Sequence, residues 1–176
     1  MQYETLYDLA AVGYRDWQGW ALAAALFLLA AAFLWRARRR GTHSPTARVI
    51  AFFGLVTFAV GGCLTLWDYQ RLTQALRDGT TLVAEGPVKG HWTREVEHYD
   101  PDAIHPYSYR TWESFSVAGV TFGYWQDHSR AGFQNSEETP LAIQDGMQVR
   151  IRFVEDVDGE PEERRILRLE RPVARS

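Results

Sequence analysis

Residues 17–35 and 49–67 carry no ionisable side chain, and each stretch is bounded by charged positions, Asp16 and Arg36 for the first and Arg48 and Asp68 for the second. A helix of about 19 residues rises roughly 28 Å at 1.5 Å per residue, which matches the hydrocarbon core of a bilayer. The pattern predicts two membrane-spanning helices. Trp17 and Trp20 mark one end of the first and Trp35 the other, while Trp67 and Tyr69 close the second, all at positions where amphipathic rings settle in the headgroup zone. Gly41-Thr42-His43-Ser44-Pro45 breaks the helix between them, and Thr46 is placed to cap the next. Ala21, Ala24, Ala25, Leu28, Ala31 and Ala32 fall on one face of the first span. Gly54, Thr57, Gly61 and Gly62 supply small residues on the second. Small residues let helices approach closely in lipid, so the two spans are expected to pack as a hairpin.

Beyond the second span, residues 70–79 continue as a helical linker that Gly79 stops. From Thr80 the period of the apolar positions changes from 3.6 to 2. Residues 81–96 read as one long or bent strand, interrupted at Gly86-Pro87. Trp112, Ser114 and Ser116 alternate with Glu113, Phe115 and Val117. Ala118-Gly119 signals a tight turn, and Val120, Phe122 and Tyr124 resume the alternation, so this is a hairpin. A second turn, Asp145-Gly146, precedes Val149, Ile151 and Phe153 facing inward and Arg150 and Arg152 facing outward. Residues 166–169 make the last strand. Five or six short strands imply an all-β domain over residues 80–171, expected as a small OB-like barrel, with 172–176 a tail. Residues 1–16 read as a flank with a short amphipathic surface helix, Tyr3, Leu6, Tyr7 and Leu9 toward lipid.

Charge then orients this plan. Residues 1–78 hold 8 Lys/Arg and 5 Asp/Glu, a net of +3, and residues 79–176 hold 11 and 17, a net of −6. The loop between the spans carries Arg36, Arg38, Arg39, Arg40 and Arg48, whereas the N-terminal flank sets Glu4, Asp8 and Asp16 against Arg15 alone. Short basic loops stay in the cytoplasm, which leaves the N-terminus and the β domain outside it. An acidic start also lacks the basic n-region of a cleaved signal peptide. The acidic β half argues against nucleic acid, because phosphate binding needs a positive surface. Neither span holds Asp, Glu, Lys, Arg or His, which disfavours a proton relay or ion pathway within the hairpin itself. The lone Cys63 excludes an internal disulfide framework and reads as a small lipid- or helix-facing residue.

Candidate chemistry concentrates in residues 91–109. His98, Asp102 and His105 combine imidazole and carboxylate and are the set to consider for zinc or another divalent ion, although their spacing matches no rigid metal motif. Trp92, Tyr99, Tyr107 and Tyr109 would line any ligand bound there; a plain polar loop is the alternative. A second loop, 126–139, holds Asp127 and His128, but no nucleophile turn accompanies them and no Gly-rich phosphate loop occurs in the chain. No catalytic residue and no cofactor is implied. Arg150, Arg152, Arg164, Arg165 and Arg168 make either an anion patch or a solvated cross-strand charge face, and their acidic neighbours favour the second.

Glu85-Gly86-x-Val88, Glu113-x-Phe115-x-Val117-x-Gly119-Val120-x-Phe122-x-Tyr124, Gly132-Phe133, Gly146-x-x-Val149-Arg150-Ile151 and Ile166-Leu167-Arg168-Leu169 resemble a widespread bacterial β domain. That domain occurs in uncharacterised membrane proteins with one or two spans beside a small OB-like barrel. The resemblance covers residues 81–170, lies at core and turn positions, and brings no functional residue with it. The layout also looks like the membrane effectors of cyclic-oligonucleotide anti-phage systems, whose barrel is cytosolic and binds a nucleotide; the arginine loop and the acidic domain argue against that side of the membrane. The expectation is a non-enzymatic inner-membrane protein presenting a small β domain to a protein partner, as an envelope accessory or immunity-type module, or to a second copy in a homo-oligomer. The alternatives are a ligand-gated effector whose spans oligomerise to disrupt the membrane, and an envelope metal-binding protein.

Overall fold

Tyr3, Thr5 and Tyr7 alternate with Glu4, Leu6 and Asp8, a two-residue period rich in strand formers. In the computed structural model Tyr3–Asp8 forms a strand, β1. The structure describes residues 2–15, 17–99, 107–126, 131–135, 141–155 and 164–173, with the backbone alone at 98 and 99. The start of the chain is therefore not the surface helix that the sequence suggested. Only one turn, α1 (Leu9–Val12), is helical, capped by the Asp8 carboxylate accepting from Ala10 N–H. A short isolated helix is marginal in water, whereas the strand gains a ladder with β6 (Arg165–Pro172) at the other end of the chain. Its acids also find arginines there: Glu4 pairs with Arg171 at 2.7 Å, and Asp8 with Arg168.

Two long helices follow. α2 spans Gln18–Arg39, and a continuous second helix spans Pro45–Asp78; both are long and apolar enough to cross a membrane. The second comprises α3 (Pro45–Thr57), a π-helical segment (Phe58–Leu64) and α4 (Thr65–Asp78). Its cap is Ser44, whose Oγ accepts from Ala47 N–H with Pro45 in the first turn, two residues earlier than the Thr46 cap expected. Gly79, at φ +70°, ends it.

α2 and α3 pack along a seam of small residues. Ala23, Ala30 and Ala37 are buried on α2 at seven-residue spacing, opposite Ala47, Gly54 and Gly62. A Cβ at Gly19 would collide with the Gly61 carbonyl, and one at Gly62 would lie 3.0 Å from the Trp20 indole. The Ala21, Ala24, Ala25, Leu28, Ala31, Ala32 face that the sequence singled out is exposed instead. Both faces of α2 offer alanines, so the glycines of the partner helix decide which one packs. The π-helical segment leaves the Gly61 and Gly62 carbonyls within reach of the Thr65 hydroxyl, at 3.1 and 3.0 Å. Thr65 Oγ1 in turn lies 2.6 Å from the Tyr14 hydroxyl, which accepts from Trp20 Nε1 at 3.2 Å.

The helices form one compact unit, residues Tyr14–Arg71, and the other is built from both flanks, Met1–Gly13 with Leu72–Ser176. In the chain, the helical hairpin is thus inserted into the β unit. That unit adds β2 (Leu82–Tyr99), β3 (Tyr107–Val117), β4 (Val120–Trp125) and β5 (Gln148–Val154). The six strands make one antiparallel sheet in the order β1-β6-β5-β2-β3-β4.

The sheet is open, not the closed barrel expected. β2 is shared between its halves, pairing with β5 over Leu82–Pro87 and with β3 from Val88 onward, with a register shift between Lys89 and Trp92. The halves face each other across the core, where the Phe122 and Phe153 rings meet edge to face at 5.1 Å. No ladder joins β4 to β6. Phe133 N–H instead donates to Ile166 O at 2.8 Å, and the Arg164 guanidinium covers the β4 carbonyl of Thr121 at 2.8 Å. A charged side chain on an edge carbonyl blunts the edge against further pairing. Phe115, Val117, Phe122, Val149, Ile151 and Phe153 fill the core from alternate positions of their strands, and the register shift beside Phe153 brings in both Ile166 and Leu169 of β6, three residues apart. The Ala118-Gly119 turn takes positive φ at both residues, 52° and 81°, as a two-residue hairpin of right-handed strands requires.

Candidate functional site

β4 covers β3 only from Trp112 to Val117, and β5 leaves β2 at Pro87. Residues 95–99 and 107–111 therefore pair with each other alone, as a two-stranded ribbon that runs beyond the rest of the sheet. Aromatic side chains on it and at its root lie outside the core: Tyr107 is 58% exposed, Tyr109 65%, and Trp92, which precedes it on β2, 45%. Thr93, Arg94, Glu95 and Glu97 are also exposed. The Tyr109 hydroxyl reaches the Glu97 carboxylate at 3.4 Å across the ribbon.

Tyr107 and Tyr109, two of the four aromatics expected around a ligand, thus share this ribbon, and Trp92 precedes it on β2. Tyr99, the fourth, is placed by its backbone opposite Tyr107, and His98 opposite Ser108. Asp102 and His105 lie outside the described residues, as do Asp127 and His128. Among the described residues no three His, Cys, Asp or Glu side chains gather into a metal-binding group.

A buried carboxylate sits at the root of the ribbon. Glu113, on β3, is 1% exposed. Its Oε1 lies 2.8 Å from His91 Nε2, and its Oε2 accepts from Gln126 Nε2 at 3.0 Å and Asn135 Nδ2 at 3.1 Å. Asn135 also donates to Leu141 O at 2.9 Å and accepts from Leu141 N–H at 2.7 Å, mimicking a backbone pair. His91 is held at its other end, where its backbone N–H donates to Asp145 Oδ1 at 2.8 Å. One carboxylate therefore ties together the ribbon root, the end of β4 and the segments around residues 135 and 141. Tyr124, directly across the β3–β4 ladder, keeps a buried hydroxyl without a hydrogen-bond partner among the described residues. Burial foremost, then the neighbouring Glu113 charge, pushes its pKa well above the usual value of 10.0.

Sequence reasoning put Glu113 in the phase of Phe115 and Val117 without drawing the consequence. A carboxylate on the apolar phase of a strand is the signal that finds this cluster. With both oxygens engaged by three side chains, Glu113 is suited to fastening these segments to one another.

Arg150 of β5 and Arg168 and Arg171 of β6 are paired with carboxylates, as a cross-strand charge face. Arg150 Nε donates to Glu170 Oε2 at 2.6 Å and its guanidinium lies 3.8 Å over the Tyr3 ring. The Glu170 hydrogen bond raises the Arg150 pKa, and the Tyr3 hydroxyl, donating to Glu85 at 2.6 Å, is raised by that bond. The acids involved are Glu4, Asp8, Glu155 and Glu170, two of them supplied by β1.

At the other unit, Arg36, Arg38, Arg39 and Arg40 end α2 and Arg48 lies in the first turn of α3, all exposed. The Arg39 guanidinium stacks on Trp35 at 3.8 Å from the ring centre. Trp17, Trp35 and Trp67 are exposed, Trp20 packs edge to face on Phe58 at 4.9 Å, and Tyr69 meets Tyr14 at 5.7 Å. Cys63 is exposed. Comparisons with models of protein families, with curated proteins and with solved structures find no match for this chain.

Proposed function

We propose that this chain is a non-enzymatic bacterial inner-membrane protein whose helical hairpin anchors the β unit outside the cytoplasm, where the β2–β3 ribbon docks a protein partner. The ribbon carries the reading. A two-stranded ribbon is marginal in water without a third strand or a packed face, and this one exposes Tyr107 and Tyr109, with Trp92 exposed just before it. Tyr and Trp on a rigid strand are the residues that anchor interfaces, and the open backbone edges of a ribbon accept an added strand.

Three observations support the remaining parts. The helices expose Leu22, Leu28, Phe52, Phe53 and Val60, which suits lipid. β1 and β6 lie on opposite flanks of the hairpin in sequence, yet they pair, so both flanks must occupy one compartment, as an even number of spans requires. The arginines between the spans favour a cytoplasmic loop. The engaged Glu113 serves this reading as a brace for the ribbon root.

A photoreactive amino acid at Tyr109 in living cells tests the docking. The proposal expects a discrete adduct with a second protein at Tyr109 and at Tyr107, and none at Arg171 on the opposite end of the sheet. Absence of adducts at both ribbon positions, or equal labelling at Arg171, contradicts it.

A further inference from the structure

Five guanidinium groups crowd one end of the hairpin, at Arg36, Arg38, Arg39, Arg40 and Arg48, and residues 17–67 hold no Asp or Glu to answer them. Within the helical unit Asp68 lies toward the opposite end of the second helix and is paired with Arg71 at 3.0 Å. None of the five arginines forms an ion pair with a described residue, and all five are exposed. Of the arginines elsewhere, Arg71, Arg150, Arg164, Arg168 and Arg171 each reach a carboxylate. Unanswered charge at this density points to an anion supplied from outside the chain.

We infer that this end of the hairpin binds the phosphodiester headgroups of anionic phospholipids. The inference rests on the two helices spanning a bilayer, but on neither their orientation nor the partner of the ribbon. Trp35 sets the depth. It lies one residue before the first arginine and is exposed, and indoles settle at the headgroup layer, so the guanidinium groups that follow sit among phosphates. Arg39 stacked on Trp35 is held by its flat face, which leaves its N–H edge to grip two phosphate oxygens. A lipid with a compensating amine in its headgroup answers fewer of these charges than one with a bare phosphodiester, so phosphatidylglycerol is preferred over phosphatidylcholine.

Native mass spectrometry of the full chain in detergent, titrated with phosphatidylglycerol, phosphatidylcholine or inorganic phosphate, reads this directly. The expected result is retained phosphatidylglycerol in preference to phosphatidylcholine, with the preference falling about fivefold for each arginine changed to glutamine. The joint substitution R36Q/R38Q/R39Q/R40Q/R48Q abolishes it, and R36K/R38K/R39K/R40K/R48K restores most of it. Far-UV circular dichroism of both variants reports whether the helices persist. Equal retention of the two lipids by the wild type, or an unchanged preference in a still-helical glutamine variant, overturns the inference. Displacement of the lipid by inorganic phosphate at similar concentration overturns the lipid as its source. Flotation with phosphatidylcholine vesicles separates the two readings. A chain that inserts there without favouring phosphatidylglycerol sinks this inference alone, while one that fails to insert sinks the spans with it.

Discussion

His91 Nε2 lies 2.8 Å from Oε1 of Glu113, and His91 stands at the irregularity of β2 where the β2–β3 ribbon leaves the sheet. The pair joins the root of a ribbon that has no third strand to a buried carboxylate of the sheet. Taking a carboxylate out of water costs several kcal/mol unless it is well hydrogen-bonded, so its donors are integral to the fold.

Removing that carboxylate leaves His91, Gln126 and Asn135 without their shared acceptor. Glu113→Ala is expected to destabilise the β unit by about 3 kcal/mol. Asn135→Ala, which loses both Leu141 backbone bonds as well as its bond to Glu113, should cost roughly 1–2 kcal/mol. Denaturant unfolding of the full chain in detergent, followed by near-UV circular dichroism, measures both. Changes below about 0.5 kcal/mol, typical of surface positions, would remove the cluster from the core account.

The phenol of Tyr124 gives a pH signature. Its folded pKa is raised above the unfolded value of 10.0, so the fold holds the proton more tightly than the unfolded chain does. The stability this contributes is present below pH 10 and is lost as pH rises beyond it. An alkaline loss of stability is expected in the wild type and is reduced in Tyr124→Phe. Identical alkaline limbs for the two proteins, read in thermal melts across that range, would contradict the placement of Tyr124 beside Glu113.

The helical hairpin makes a contrast between two small residues two positions apart, on opposite faces of α2. Gly19 meets the Gly61 backbone, while Ala21 faces outward. Gly19→Ala is expected to lower hairpin stability by about 1–3 kcal/mol through overpacking, and Ala21→Leu to change it little. Thermal unfolding in detergent, followed at 222 nm, should rank them in that order. The reverse ranking would return the packing face to the alanine stripe.

The ribbon aromatics should matter to binding and not to folding. Trp92→Ala and Tyr109→Ala are expected to leave unfolding within about 0.5 kcal/mol, because neither ring is in the core. Each should weaken partner capture by roughly 30-fold, the effect of a hot spot worth about 2 kcal/mol. Loss of stability with unchanged capture would make the ribbon a structural element only.

How far the sequence spoke depended on the range of the interaction. The helices, the Ala118-Gly119 turn and the inward phases of β3 to β5 follow from local period and turn chemistry, and they are found where those rules place them. β1 was missed because its partner, β6, comes more than 150 residues later, and Glu4 and Asp8 carry no local mark of Arg171 and Arg168. The open sheet was read as a barrel for a related reason: whether β4 meets a strand or only Arg164 and the segment at Phe133 is set by tertiary placement. Glu113 was legible in principle, since it falls on the apolar phase, but its donors come from β2, from the end of β4 and from the loop segment at Asn135.

The compartment of the β unit decides the account, because a ribbon outside the cytoplasm meets envelope proteins and one inside meets cytosolic signals. The direct measurement is a pair of C-terminal fusions in a bacterial host, one to a reporter active only in the periplasm and one to a reporter active only in the cytosol. The account predicts an active periplasmic fusion and a silent cytosolic one, reversed when Arg36, Arg38, Arg39, Arg40 and Arg48 are replaced and arginines are placed before Trp17. An active cytosolic fusion of the unaltered chain would contradict it, and would favour a membrane effector whose β unit reads a small cytosolic molecule.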